Sequence, residues 1–203
     1  MRLCLAQINP LIGDIQGNSQ LILNACRKAS TKKTTLVITP ELSLWGYPPR
    51  DLLLDPLLID TQWEVLDNMA NIITQEMASI ALLIGIAEPT SDLQLPKLFN
   101  SIALVDQNGW KVIARKQLLP TYDVFDEKRY FRPSNKTGTL KIKAPERDWN
   151  IGVTICEDLW VEEKLQPHRV KGPDPVDKLA NENLDLLLNL SASPFSPKKE
   201  SLR

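Results

Sequence analysis

The chain has 203 residues, 43% hydrophobic and 24% charged, with a formal net charge of −1. That suits one well-buried α/β domain, leaves little room for a second, and excludes intrinsic disorder. Scattered basic residues and only 6% aromatics offer no patch or stacking platform for nucleic acid, and no apolar run approaches the ~20 residues of a membrane helix.

The opening "RLCLAQINP" alternates as a strand, with Leu3, Leu5 and Gln7 on one face, and lacks a signal-peptide pattern. "NSQLILNACRKASTKK" follows as a helix, with Leu21, Ala25 and Lys28 at helical spacing and a cap at Asn18 or Ser19. "TTLVITPEL" is a short apolar strand closed by Pro40. A strand–helix–strand unit of this kind implies parallel pairing. "LWGYPPRDLLLDP", with three prolines and a glycine in 13 residues, is expected to be an ordered surface loop.

A second helix is expected in "LIDTQWEVLDNMANIITQEM", where Trp63, Leu66, Met69, Ala70 and Ile73 recur at three and four. "SIALLIGIAEP" reads as a buried strand. In "FNSIALVDQNGWKVIARKQ" two apolar runs flank Asn108-Gly109, a pair that favours a type I′ hairpin. After the loop "LLPTYDVFDEKRYFRPSN" come strands in "TGTLKIKA" and "WNIGVTIC", a short helix in "VDKLANENL" and a last strand in "DLLLNLSAS". The sum is a mixed sheet or pair of sheets with helices on the outer faces. The stop at "PFSPKKESLR" has the look of a cut.

Cys4, Cys26 and Cys156 are odd in number and far apart, which argues against a disulfide scaffold and for a cytosolic chain. With His168, the only histidine, they show no zinc-ligand spacing, so no metal site is expected. The eight glycines form neither GxGxxG nor GxxxxGK[ST].

Open α/β sheets bind ligands beyond the carboxyl ends of their strands. Three reactive side chains stand there: Glu41 after "LVITP", Lys116 after "KVIAR" and Cys156 after "IGVTI". A thiol of pKa about 8.5 needs activation at neutral pH. An ammonium ~4 Å away attracts a thiolate by about 4 kcal/mol at an effective dielectric near 20. A carboxylate could take the thiol proton and return it to a departing amine. Lys116 could also face a developing oxyanion, with the backbone N–H of Glu157 as second donor. Each residue alone has an ordinary reading. A strand-end Cys is most often a small buried hydrophobe, Glu41 a solvated turn residue, Lys116 an edge charge, and Asp158 a solvated carboxylate where it does not hold the turn through local hydrogen bonding.

Four stretches in order, "PELSLWGYPPRDLL", "RKQLLPTYDVFDEKRYF", "ICEDLW" and "NLSASPF", resemble the nitrilase, or carbon–nitrogen hydrolase, superfamily, and within it the N-terminal glutaminase domain of the glutamine-dependent NAD synthetases. The resemblance implies a four-layer α-β-β-α sandwich spanning residues 1–203, incomplete at its C-terminal end. It implies Cys156 as nucleophile, Glu41 as general base, Lys116 as oxyanion stabiliser and Glu127 as the carboxylate that orients the lysine. Tyr122, Ser193 and Lys199 would hold L-glutamine. No cofactor is implied for this domain. ATP and Mg would belong to a C-terminal synthetase domain, which amidates deamido-NAD and whose SGGxDS loop does not occur here. The resemblance further implies a cytoplasmic homo-oligomer that binds no nucleic acid or membrane. The competing readings are a stand-alone nitrilase-like amidase on another amide or carbamoyl compound, and a non-catalytic flavodoxin-like or oligomerisation module whose cysteine is core.

Overall fold

In the computed structural model, which describes residues 1–92, 94–122, 124–160, 170 and 172–193, two sheets stack face to face. The elements in chain order are β1 (Leu3–Leu5), α1 (Ile15–Ser30), β2 (Leu36–Ile38), α2 (Pro56–Glu76), β3 (Ala81–Pro89), β4 (Leu98–Asp106), β5 (Gly109–Arg115), β6 (Gly138–Lys143), β7 (Asp148–Ile155), α3 (Pro175–Ala180) and β8 (Leu186–Leu190). The first sheet has the order β1-β2-β3-β4-β5, parallel through β3 and antiparallel from there. The second has the order β6-β7-β8, with β6 antiparallel and β8 parallel to β7.

The layers follow from residue pattern. β3 is buried on both faces, as its unbroken apolar run requires. Leu82, Ile84 and Ile86 face α1 and α2, meeting Ile22, Leu23, Cys26, Leu66, Met69 and Ile73. Leu83 faces the other way, into an inter-sheet core with Ile102, Leu140, Ile142, Ile151, Val153, Ile155 and Leu190. Each such side chain taken fully out of water stabilises the fold by roughly 1.5–3 kcal/mol. β6 alternates cleanly: Leu140 and Ile142 point inward, Thr139, Lys141 and Lys143 outward. α3 lies over the outer side of β7, where its Leu179 meets the position above Gly152. The result is the α-β-β-α sandwich that the sequence resemblance implies.

Five local expectations are corrected. α1 starts earlier than Asn18 because the Asp14 carboxylate caps it, accepting the Gly17 N–H at 2.8 Å. Its buried face is Ile15, Ile22, Leu23, Cys26 and Ala29, whereas Leu21 and Lys28 are exposed. Asn18 is buried inside the helix and uses its amide to hold the Leu11 and Leu44 carbonyls. The segment expected as a surface loop is buried in its first part, where Leu44 and Trp45 are 0% exposed, and lies at the surface only from Arg50, as the 3₁₀ helix Arg50–Leu54. The hairpin turn is Gln107–Asn108, not Asn108-Gly109, since Asp106 already pairs with Gly109. The positive φ falls on Gly109 alone (+105°), and the Asp106 carboxylate accepts the Asn108 N–H at 2.7 Å. A type I turn followed by a left-handed glycine fits that geometry; type I′ does not. Finally, Leu5 does not share the cover of its face-mate Leu3; at the end of the edge strand it is 71% exposed.

Candidate active site

Glu41 stands on a turn that buried backbone holds in place. The turn after β2 bends at Leu42, which has φ +46°, and lies directly on β3. Leu44 N–H donates to the Gly85 carbonyl at 3.2 Å. The Ser43 hydroxyl pairs with that of Thr39 at 2.7 Å. Trp45 Nε1 donates to Gln62 Oε1 at 2.6 Å, and Gln62 in turn bonds both the N–H and the carbonyl of Ala87. A Cβ on Gly85 would stand 2.1 Å from Leu42 N and 2.8 Å from the Glu41 carbonyl carbon. Both neighbours are backbone and cannot swing aside. Gly85→Ala is therefore expected to destabilise the fold by about 1–3 kcal/mol and to displace Glu41. Thermal unfolding and turnover measured together check this, with both expected to fall.

Lys116 follows β5 directly and is 0% exposed. Its Nζ donates to Glu41 Oε1 at 2.7 Å and to Glu127 Oε1 at 2.8 Å. Glu127 opens a single 3₁₀ turn, Glu127–Arg129, and receives the Tyr47 hydroxyl at 2.8 Å. The Asn100 amide donates to Glu41 Oε1 at 2.7 Å. Burial by itself would pull the Lys116 ammonium down, but the facing charges of Glu41 and Glu127 outweigh it and hold the pKa well above the ordinary lysine value. Burial pushes Glu127 up to about 7 despite Lys116. Lys116 thus remains a cation between two carboxylates.

Cys156 sits where β7 ends, at φ +46°, and opens the 3₁₀ turn Cys156–Leu159. Asp158, two residues on, makes that turn. Its carboxylate accepts the N–H of Ile155 at 3.4 Å, of Gln117 at 3.0 Å and of Leu118 at 2.8 Å. Gln117 and Leu118 directly follow Lys116, so one buried carboxylate locks the cysteine turn to the lysine segment. The solvated reading of Asp158 is wrong. Burial raises its pKa to about 6, against the pull of those N–H groups. From β8, the Asn189 amide donates to the Cys156 carbonyl at 3.3 Å. The Cys156 Sγ lies 3.9 Å from the Ala192 carbonyl, and Ala192 N–H donates to Glu41 Oε2 at 3.2 Å.

These elements bring Glu41, Lys116 and Cys156 into one cluster, with Glu127 behind the lysine. The attraction of Lys116 for a thiolate, weighed from sequence before desolvation, is offset here. Burial, then the Glu41 charge, pushes the Cys156 thiol up, and Lys116 lowers it too little to compensate. Burial and the Glu41 charge therefore favour the thiol form over the thiolate.

Tyr122 and Glu157 meet on the same side. The Tyr122 hydroxyl donates to Glu157 Oε2 at 2.9 Å, while Glu157 Oε1 is buried without a partner. Among the described residues, the buried side-chain polar atoms lacking a partner are Asn100 Oδ1, Glu127 Oε2 and Glu157 Oε1. All are acceptors and all belong to this cluster, which marks a site built to receive donors. Ser193 lies three residues past β8 and is exposed. Lys199 and His168 lie outside the described residues. A cavity of about 390 Å³ opens against Tyr47, Phe125 and Glu127, beside the cluster. Sequence reasoning missed Asn100 and Tyr47, and missed the Glu157 side chain. An amide inside the apolar run "LFNSIALVD" was the one available signal.

The carbon-nitrogen hydrolase family model matches residues 2–174. The chain belongs to the carbon-nitrogen hydrolase family. Among curated relatives of this carbon-nitrogen hydrolase, the glutamine-dependent NAD(+) synthetase of Synechocystis sp. is 41% identical, over 99% of this chain and 35% of its own length. That of Thermotoga maritima is 34% identical, over 100% of this chain and 32% of its own. The glutamine-dependent NAD+ synthetase of Acinetobacter baumannii, solved with ADP, superposes with a TM-score of 0.79 at 32% identity, covering 99% of this chain and 34% of that one. An amidase from Nesterenkonia sp. shares the fold, with a TM-score of 0.71 at 23% identity, covering 98% of this chain and 68% of that one. The hydrolase chain thus spans about a third of the length of the synthetases it matches.

Proposed function

We propose that this chain is the glutaminase part of a glutamine-dependent NAD synthetase. Glu41 takes the Cys156 proton as Sγ bonds to the side-chain amide carbon of L-glutamine. Lys116 Nζ and the Glu157 backbone N–H stabilise the oxyanion. Glu41 returns the proton to the nitrogen as the C–N bond breaks, and ammonia leaves. Glu41 then deprotonates a water that attacks the thioester, releasing glutamate and restoring the thiol. Glu127 holds Lys116 in place. Tyr122, Ser193 and Lys199 hold the amino-acid end of glutamine. The ammonia would serve an ATP- and Mg-dependent synthetase domain of the same polypeptide, which amidates deamido-NAD, in a cytoplasmic homo-oligomer.

The observation that carries the choice of an amino-acid amide such as glutamine is Glu157. A buried carboxylate oxygen without a partner, one residue from the nucleophile, suits the α-ammonium of an amino acid, a group that simple amides lack. Sites built to pair a polar group reject analogues that leave it unpaired. The test is ammonia release from glutamine, asparagine and acetamide. Glutamine is expected to lead acetamide by at least roughly 10² in kcat/KM. Glu157→Gln should erode that lead by weakening the amino-acid amides and not acetamide. Comparable turnover of acetamide would instead support the stand-alone amidase.

A further inference from the structure

Asn100 is a polar side chain inside β4, 1% exposed, with apolar neighbours Phe99, Ile102 and Leu104 along the strand. Its Nδ2 donates to Glu41 Oε1 at 2.7 Å, the oxygen that also receives Lys116 Nζ. Its backbone carbonyl accepts the Lys116 N–H at 2.8 Å. One residue therefore holds the carboxylate by its side chain and the lysine segment by its backbone. Its Oδ1 is buried without a partner, an arrangement that packing alone would not select. Turning the amide over would not relieve it, because Oδ1 would then face the carboxylate, acceptor against acceptor.

We propose that Asn100 is a positioning residue for Glu41. Its amide and Lys116 together commit Oε1, so that the carboxylate keeps Oε2 toward the Ala192 backbone, where the Cys156 thiol also lies. A neutral donor does this without the loss of basicity that a second cation would impose. An apolar residue would leave the carboxylate free to swing, and misplacement on the ångström scale can cost about 10²-fold in rate. The charged and titratable groups facing Glu41 are Lys116 from the end of β5, Glu127 from its 3₁₀ turn, Tyr47 from the segment after β2, and Cys156 from the end of β7. The proposal rests on the reading of Glu41 as the general base.

The test uses Asn100→Leu and Asn100→Asp in the protein that carries residues 1–203, with Glu41→Gln alongside. Asn100→Leu should lower kcat for glutamine hydrolysis about 10- to 100-fold with KM nearly unchanged. Its thermal midpoint should hold or rise, because the orphaned acceptor is gone. Asn100→Asp keeps the shape but must carry a proton to donate to Glu41, so its kcat should fall as pH rises across a range where the parent is flat. If Asn100→Leu does not fold, the aspartate variant decides alone. A parental kcat and pH profile in the variants that fold, with Glu41→Gln inactive, overturns the role of Asn100 and leaves Glu41 as base. Turnover retained in Glu41→Gln overturns the base assignment, and the role of Asn100 with it.

Discussion

Replacing Cys156 by alanine is expected to lower glutamine hydrolysis by at least ~10⁴-fold, since no other group in the cluster can form the thioester. The fold should survive. Alanine keeps the Cβ at the strained φ of +46° and removes only one weak contact of the thiol, that to the Ala192 carbonyl. Asp158 and Asn189, which shape the turn, bond backbone atoms and are untouched. In the protein that carries this chain, NAD synthesis from glutamine should therefore vanish while synthesis from added ammonium salt continues. The measurement is NAD formed from each nitrogen donor at saturating ATP and deamido-NAD. A variant that still uses glutamine would remove Cys156 from its role. Loss with both donors would show that the two activities are coupled more tightly than ammonia delivery requires.

Lys116→Met is expected to damage both stability and turnover. It leaves Glu41 and Glu127 buried and facing each other without their shared cation. Breaking a buried pair from one side typically costs about 3–5 kcal/mol. Glu127 would respond by holding its proton to higher pH. Glu127 already titrates up at about 7 with the lysine present, and without it should move higher. A carboxyl whose folded pKa lies above its unfolded value contributes stability that is present at low pH and lost as pH rises through the folded value. The variant should thus be mildly destabilised near pH 5 and severely so near pH 8, as denaturant unfolding at the two values would read. Adding Glu127→Gln should recover much of the stability at pH 8 but none of the turnover. Lys116→Arg should retain more stability than methionine yet remain poorly active, because a planar fork does not replace a point charge at an oxyanion. Turnover near that of the parent in either single variant would show the lysine to be a bystander.

The order of elements was legible in the sequence because it depends on local pattern. The unbroken apolar run of "ALLIGIA" could only be a strand buried on both faces, and the alternation of "TLKIK" only one buried on a single face. Glu41, Lys116 and Cys156 were legible as strand-end residues for the same reason. Where the pattern was weak the local reading failed. Gly17 obscured the start of α1, whose cap depends on the Asp14 carboxylate. The first part of the proline-rich segment after β2 read as surface, because Gln62, which receives the Trp45 indole N–H, lies 17 positions away.

Only the tertiary structure decided how the cluster works. Asp158 joins the turn at Cys156 to Gln117 and Leu118, some 40 residues earlier, and Asn100 reaches Glu41 across 59 residues. No local pattern encodes such contacts. Burial, too, is a property of the assembled layers. It pushes the Cys156 thiol up, against the lysine attraction that sequence reasoning weighed before desolvation. The sequence by itself determined which chemical groups stand at the strand ends. The stacking of two sheets decided which oxygen faces which proton, because desolvation and hydrogen-bond direction exist only once the layers close.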